Sequence, residues 1–270
     1  MKTLTYSITG SKEGEVELPL VFSTPFRKDL IHKAYVHLES HEFQSQGRHA
    51  MAGMNVVARS NHPPTGHGQS RVARMRGGGG GRQGQGAQVA STRGGRQAHP
   101  PISEKVIYKE LNKKENKLAL CSAIAATASK EIVKSRGHKI ENIKSFPIVV
   151  SDNIEKISKS KDLFQVLQSL KLETDLDRLK TRRMRSGKSA LRGRSAKIGK
   201  SILFVVKDPK KLVLASGTIR GVDVRSVNEL SVLDLAPGAE PIRLTVFSQG
   251  AIGELSRIKS PYLELLATLT

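Results

Sequence analysis

The chain of 270 residues has no tryptophan, few other aromatic side chains and a single cysteine. One cysteine, Cys121, excludes an internal disulfide framework and fits a reducing compartment. Because it lies in the apolar run Leu118–Ala128, we expect its side chain to be buried. No stretch approaches the ~20 apolar residues of a membrane span, and the N-terminus lacks the apolar region of a signal peptide. These absences favour a soluble cytoplasmic protein.

Acidic residues are missing from two long stretches of the chain. Residues 48–100 hold eight arginines, no lysine and no acid, and residues 178–200 hold ten basic residues and no acid. These eight and ten cations make up +18 of the formal charge of +21, which leaves +3 for the other 194 residues. Because the positive charge is concentrated in these two stretches, they are expected to attract polyanions. Nucleic acid is the first candidate partner and an anionic membrane is the second.

Apolar spacing predicts a mixed fold for the rest of the chain. Two short strands are predicted within residues 3–22, and an amphipathic helix is predicted at Pro25–Glu42. An alanine-rich helical stretch is predicted at Ser103–Arg136. Further strands are predicted at Phe146–Val150, Ile202–Val206, Gly221–Val224 and Ile242–Phe247. Helices are predicted between and after them, at Asp162–Leu170, Pro209–Ala215, Asn228–Leu235 and from about Ser248.

This alternation predicts the α/β fold class, with a mostly parallel sheet of about four strands covered by helices. The segment SILFVV, residues 201–206, is apolar on both faces, as a central parallel strand would be. Pro147 cannot donate a ladder hydrogen bond, so its strand either lies at an edge of the sheet or begins there.

Residues 43–103 have a composition unlike the rest. They contain 13 of the 24 glycines, including Gly77–Gly81 in a row, and no apolar periodicity. We expect disorder in the free protein, because the segment has little apolar surface to offset its ordering entropy. The predicted organisation is therefore a globular α/β domain, residues 1–42 and 104–270, interrupted by an extended Gly/Arg-rich loop, residues 43–103.

The arginines of this loop are the first candidate RNA-binding residues. A flexible linker is the alternative, but linkers are rarely free of acids and rich in arginine. Guanidinium groups bind phosphate oxygens in pairs and stack on bases, and no aromatic residue between Gln44 and Ile107 offers a stacking platform. Binding by shape and backbone is expected. The residues are Arg48, Arg59, Arg71, Arg74, Arg76, Arg82, Arg93 and Arg96.

The second basic stretch supplies the other candidate RNA contacts. It contains Gly187-Lys188-Ser189, which resembles the end of a phosphate-binding loop. The full pattern needs a glycine five residues before Gly187, where Arg182 stands, so nucleotide binding is not favoured. A solvated basic face is the other alternative. The RNA-binding residues predicted here are Arg182, Arg183, Arg185, Lys188, Arg192 and Arg194.

Histidines could suggest a metal site in the loop, but no cysteine or carboxylate accompanies them. Zinc sites need ligands that converge at set spacings, and no such set is found around His49, His62, His67 and His99. No catalytic constellation stands out either. We therefore expect no metal, no cofactor and no enzymatic activity.

Several motifs together resemble a known family, the fourth protein of the large ribosomal subunit. They are FSTPFRKDLIHKA at 22–34, GRHAMAG at 47–53, GHGQSRVARMRGGG at 66–79, GGRQAHPP at 94–101, NKKENKLALCSAIAAT at 112–127, RRMRSGKSALRGR at 182–194 and VNELSVLDLAPG at 227–238. They occur in the family's order over nearly the whole chain. The segment 112–127 is similar to the archaeal and eukaryotic branch, and the lack of a long C-terminal extension favours an archaeal source.

The resemblance implies a three-layer α/β/α domain and a loop that reaches inward through ribosomal RNA. Its tip, around Arg71–Gln85, would help line the peptide exit tunnel. The implied partners are large-subunit rRNA, neighbouring large-subunit proteins including one at the tunnel constriction, and the nascent peptide near the tip, with no membrane. The implied location is the cytoplasmic ribosome, and support of subunit assembly is a further family trait.

Two other classes of function compete with a structural ribosomal protein. One is an enzyme built on the α/β domain, such as a phosphatase or a nucleotide-binding protein. The other is a free RNA chaperone or regulator that does not stay on the ribosome. Nucleotide turnover that depends on Lys188 would favour the enzyme, and free protein bound to one messenger would favour the regulator.

Overall fold

A computed structural model describes residues 1–77, 81–143, 145–181 and 183–269. They divide into two compact units. Met1–Ser40 and Glu110–Thr270 form the first, called here the α/β unit, and His41–Lys109 form the second, called the arginine-rich unit. The loop expected from the sequence, residues 43–103, lies inside the second unit.

The described residues form ten strands in three sheets. In chain order they are β1 (Lys2–Tyr6), β2 (Lys12–Glu17), β3 (Ala58–Arg59), β4 (Arg74–Met75), β5 (Ile148–Val150), β6 (Arg183–Met184), β7 (Ala196–Lys197), β8 (Leu203–Val206), β9 (Asp223–Ser226) and β10 (Thr245–Ser248). Six of them make the main sheet, in the order β2-β1-β5-β10-β8-β9. The pairs β3–β4 and β6–β7 are separate two-stranded ladders.

The main sheet confirms the predicted fold class. β1 pairs antiparallel with β2, and every other neighbouring pair in this sheet is parallel. It has six strands rather than about four, because β1 of the N-terminal pair also pairs with β5 and so joins the sheet. Pro147 directly precedes β5, which lies between β1 and β10. Of the two positions expected for this proline, the start of a strand is correct.

Helices surround the sheet. In chain order they are α1 (Lys28–Glu39), α2 (Lys113–Ala126), α3 (Lys130–Ser135), α4 (Ser160–Ser169), α5 (Glu173–Arg178), α6 (Lys188–Leu191), α7 (Lys210–Ser216), α8 (Val232–Leu235), α9 (Gln249–Leu255) and α10 (Pro261–Leu269). Helices α1, α2 and α8 contact one another, and α4 contacts α7. All residues of β5, β8 and β10 are buried. Both faces of the central sheet are therefore covered.

The core lies between the sheet and these helices. Phe247 of β10 meets Phe22 edge to face, with ring centroids 5.8 Å apart. Cys121 of α2 is fully buried, as its apolar surroundings in the sequence predict. Burial raises the pKa of the Cys121 thiol, so the group behaves as a small apolar side chain.

Two predicted helices are shorter than expected. The stretch Ser103–Arg136 is helical only from Lys113, and it breaks between Ala126 and Lys130. The carbonyl oxygen of Glu110 instead accepts a hydrogen bond from the His37 ring, 2.7 Å away. At the break, the Thr127 hydroxyl donates to the carbonyl of Ile124, 2.6 Å away, and so competes with the helical pattern.

The helix predicted at Asn228–Leu235 begins only at Val232. Ser231 and Asp234 form a capping box, in which each side chain accepts a hydrogen bond from the other residue's backbone amide. The capping box makes Ser231 the N-cap, so the helix begins at the next residue, Val232. The last predicted start is confirmed, because Ser248 precedes α9 and its hydroxyl accepts a hydrogen bond from the Ala251 amide, 3.1 Å away.

Candidate nucleic-acid interface

The arginine-rich unit contains a strand pairing that the sequence does not predict. In its two-residue ladder, Ala58 lies opposite Met75 and Arg59 opposite Arg74. The Met75 amide donates to the carbonyl of Gln85, 2.9 Å away, so the chain turns back on itself after β4. Apolar alternation, the usual strand signal, is absent here, which is why the pairing was missed. The disorder expected in the free protein stays a prediction.

Glycines in this unit allow two backbone segments to approach closely. Gly53 has φ +81°, and a Cβ atom there would lie 2.5 Å from the carbonyl of Gly95. A Cβ atom on Gly95 would lie 2.0 Å from the carbonyl oxygen of Val89. Side chains at either position would collide with backbone, so the local fold requires glycine at both.

The eight arginines of the unit are largely accessible. Arg74 is half-buried and the other seven are exposed, namely Arg48, Arg59, Arg71, Arg76, Arg82, Arg93 and Arg96. Within the parts of the chain that the structure describes, none of the eight pairs with a carboxylate. Their charge is therefore available to an anionic partner.

The contacts of these arginines are with neutral groups. Arg48 donates to Gln97 Oε1 at 2.8 Å, and Arg71 donates to the carbonyl of Pro63 at 3.2 Å. Arg74 donates to the carbonyl of Gly84 at 2.9 Å, while its buried Nε has no partner among the described groups. Neutral acceptors orient the guanidinium groups without cancelling their charge.

The second basic stretch forms a small projecting element, which we call the basic hairpin, residues 183–197. Arg183 pairs with Lys197 and Met184 with Ala196. The Arg185 amide adds a hydrogen bond to the carbonyl of Ser195, 2.8 Å away. The short helix α6 lies between the strands and follows Gly187, which has φ +65°. This helix follows the hairpin strand β6 and not a strand of the main sheet, unlike the context of a phosphate-binding loop.

In the described part of this stretch, cations at the two ends pair with carboxylates, whereas those in the middle do not. Arg183, Arg185, Lys188, Arg192 and Arg194 are exposed, and none pairs with a carboxylate in the described structure. Arg182 lies outside the described residues. At the ends, Arg178 pairs with Asp175, Lys180 with Asp177, and Lys200 with Asp223. Carboxylates outside the stretch therefore neutralise its ends and leave the hairpin cationic.

A buried carboxylate holds the ends of the stretch. Asp175 is fully buried and accepts hydrogen bonds from His138 Nδ1, the Lys139 amide and Arg178 Nε at 3.0, 3.1 and 3.0 Å. It also accepts one from the Ser201 hydroxyl. Burial alone would raise the pKa of this carboxyl. The hydrogen bonds from His138 and Arg178 outweigh burial and hold the pKa far below its usual range.

A buried arginine supports the same region. Arg243 is 1% exposed and donates to the carbonyls of Ser201, Ile202 and Gly221 at 2.6, 2.9 and 2.7 Å. Its Nη1 lies 2.6 Å from Asp223 Oδ2. Burial lowers the pKa of the guanidinium, and the charge of Asp223 opposes this shift. All these acceptors lie on or beside β8 and β9, so Arg243 ties these strands to β10.

The carboxyl ends of the parallel strands are occupied by an internal group. In open α/β sheets, small ligands bind outside these ends. Here Glu155 accepts hydrogen bonds from the amides of Lys207 and Asp208 and from the Ser248 hydroxyl, at 2.8, 3.3 and 2.8 Å. These donors are the kind that a phosphate would need, and an internal carboxylate already satisfies them.

The described residues do not form a metal site or a membrane-spanning helix. Among the described side chains, no group of three or more His, Cys, Asp or Glu residues is placed to hold a metal ion. The same residues include no helix that is long and apolar enough to cross a membrane.

Comparison with known proteins decides the family. The model of the ribosomal protein L4/L1 family matches residues 16–258. The chain belongs to this family. Over 257 residues it is 42% identical to the large ribosomal subunit protein uL4 of Methanococcus maripaludis strain C6, covering 95% of this chain and 99% of that protein. It is also 42% identical over 258 residues to the uL4 protein of Sulfurisphaera tokodaii, covering 95% and 94%.

These archaeal relatives confirm the resemblance seen in the motifs. The charge pattern of the sequence was enough to predict the exposed cations of both basic elements as candidate RNA-binding residues. It did not point to Asp175, His138 and Arg243, which lie outside both stretches. The signal that could have found Arg243 is its place in the mostly apolar run PIRLTVF, residues 241–247, where a lone arginine is expected to be buried with partners.

Proposed function

We propose that this chain is a non-enzymatic, structural constituent of the large ribosomal subunit. It binds large-subunit rRNA through the arginine-rich unit and the basic hairpin. The observation that carries the proposal is the set of exposed cations in both elements that have no carboxylate partner among the described residues. Family membership and the name of the relatives, large ribosomal subunit protein uL4, support it.

The chemistry of these cations favours phosphate as the ligand. An arginine that donates only to neutral acceptors keeps its full charge, and the fork of a guanidinium matches two phosphate oxygens. Arg74 Nε, which is buried without a partner, would gain an acceptor from RNA. The internal carboxylate Glu155 already accepts hydrogen bonds from the Lys207 and Asp208 amides at the usual ligand position of the sheet, which weighs against the enzyme alternative.

The arginine-rich unit is the element that we place deepest in the RNA. Family resemblance suggests that its tip, around Arg71–Gln85, lines the peptide exit tunnel. There it would meet the nascent peptide and a neighbouring large-subunit protein. The described part of this tip has arginines and glycines and few bulky side chains, which suits close packing against RNA backbone. Gly78, Gly79 and Gly80 lie outside the described residues.

Binding to large-subunit rRNA is expected to depend steeply on salt. Each neutralised phosphate releases counterions, so about ten contacts would give a slope of log K against log salt of roughly −7 to −9. The measurement is a titration of the purified chain against an archaeal large-subunit rRNA transcript at several KCl concentrations.

A nearly flat response would contradict electrostatic binding of RNA. Co-sedimentation separates the ribosomal role from that of a free regulator. Stable association with large subunits at moderate salt supports the proposal, while free protein bound to one messenger RNA contradicts it.

Deleting residues 71–86 is expected to leave the α/β unit folded. Of the described residues in this segment, the deletion removes those of β4, but none in a strand of the main sheet and none in the main buried core. Thermal unfolding followed by circular dichroism should keep a cooperative transition at nearly the same temperature.

A matched deletion provides the control. Removing Ser160–Ser169 takes away α4 with the buried side chains of Leu163, Val166 and Leu167, and it should abolish the cooperative transition. Loss of the transition in the 71–86 deletion as well would show that the α/β unit depends on that segment.

A further inference from the structure

We propose that a clamp at the base of the basic hairpin sets the hairpin's orientation before RNA binds. The base clamp consists of Asp175, Leu179, Gly199, Ser201 and Gly221. In this role Asp175 and Leu179 are positioning residues, since they contact the chain and not the RNA. The inference rests on the proposed RNA-binding function of the hairpin.

Polar contacts join the two ends of the hairpin to one carboxylate. Asp175 accepts hydrogen bonds from Arg178, which leads into the hairpin, and from Ser201, which follows it. Arg178 Nη2 also donates to the carbonyl of Lys200, 3.1 Å away. The incoming and outgoing segments are therefore bound to each other as well as to a fully buried group.

An apolar contact fixes the same two ends. Leu179 is 5% exposed, yet it is not part of the cluster that forms the main core. A Cβ atom on Gly199 would lie 2.8 Å from Leu179 Cδ2, and one on Gly221 would lie 2.2 Å from Leu179 Cδ1. The side chain of Leu179 thus fills the space beside two glycines, and neither position tolerates a larger residue without movement.

The hairpin beyond the clamp has no core of its own. Both residues of β6 are exposed, α6 has no buried residue, and β7 has one half-buried alanine, Ala196. Its direction relative to the α/β unit must therefore come from its base. A cationic element held in one orientation loses less conformational freedom on binding, which increases affinity without any added contact.

Loosening the clamp should weaken RNA binding without changing the number of phosphate contacts. For Leu179→Ala we expect about tenfold weaker binding to the rRNA transcript. The slope of log K against log salt should stay the same, because every cation remains. Leu179→Met, which refills the space, should restore the affinity. Leu120→Ala, a truncation of a half-buried residue on α2, is the matched control and should keep wild-type affinity.

A second variant tests the same idea without removing a buried side chain. Gly199 is exposed and its φ is not positive, so alanine suits its backbone, but the new methyl group would press on Leu179. Gly199→Ala should also weaken binding at unchanged slope. If Leu179→Ala fails to fold, the rRNA affinity of Gly199→Ala decides whether the clamp inference holds.

The double variant Arg183→Ala/Arg185→Ala separates the two proposals. If it weakens binding and flattens the slope while folded clamp variants bind like the wild type, the clamp inference is overturned and the proposed function stands. If the double variant also binds like the wild type, Arg183 and Arg185 do not contact RNA, which contradicts both the clamp inference and the part of the proposed function that assigns RNA binding to the hairpin. Weaker binding of the clamp variants at an unchanged slope supports the inference.

Discussion

Replacing Arg243 with alanine is expected to destabilise the chain by about 3–5 kcal/mol, the usual cost of breaking a buried charged network. The change leaves the carbonyls of Ser201, Ile202 and Gly221 without this donor and Asp223 without one of its two cations. It also empties the volume of one of the largest fully buried side chains. The measurement is the free energy of unfolding in guanidinium chloride, followed by circular dichroism.

A surface arginine on the same sheet serves as the control. Arg225 of β9 pairs with Asp234 at 3.0 Å, but its side chain is 49% exposed. Arg225→Ala should therefore cost no more than about 1 kcal/mol. If Arg243→Ala costs no more than Arg225→Ala, then Arg243 does not hold β8, β9 and β10 together as its contacts indicate.

The parts of the fold that the sequence predicts well are those with a strong local signal. The segments of β5, β8 and β10 are continuously apolar, because buried parallel strands face packed helices on both sides. The boundaries of α2 and α8 were missed for non-local or side-chain reasons. The His37 ring donates a hydrogen bond to the carbonyl oxygen of Glu110, which is far away in the chain. A local window of sequence around residue 110 cannot predict such a contact.

The candidate site divides in the same way. Exposed arginines are visible in the sequence because charge of one sign accumulates where no carboxylate offsets it. The base clamp is invisible there, since Asp175, Ser201 and Gly221 are brought together only when strands β8 and β9 pair beside α5. Residues that would bind RNA are therefore predictable from composition, while the residues that position them depend on three-dimensional contacts.

Removing five of the six cations of the basic hairpin is expected to weaken RNA binding strongly. The variant replaces five exposed cations with alanine, namely Arg183, Arg185, Lys188, Arg192 and Arg194. If each contacts one phosphate, the slope of log K against log salt becomes less negative by roughly 3.5 to 4.5. If the two proteins bind equally at about 1 M salt, affinity for the rRNA transcript at about 0.1 M salt then falls by on the order of ten-thousandfold. No buried residue is removed, so the thermal transition should not move.

The control must lose the same charge elsewhere, because a lower net charge by itself weakens attraction to RNA. Five exposed lysines without a carboxylate partner in the described structure suit this purpose, namely Lys156, Lys159, Lys161, Lys210 and Lys211. Their replacement with alanine lowers the net charge equally, and it should change the slope far less. Equal losses in both variants would mean that RNA senses only the total charge of the chain. A selective loss in the hairpin variant would mean that these five cations contact phosphates directly.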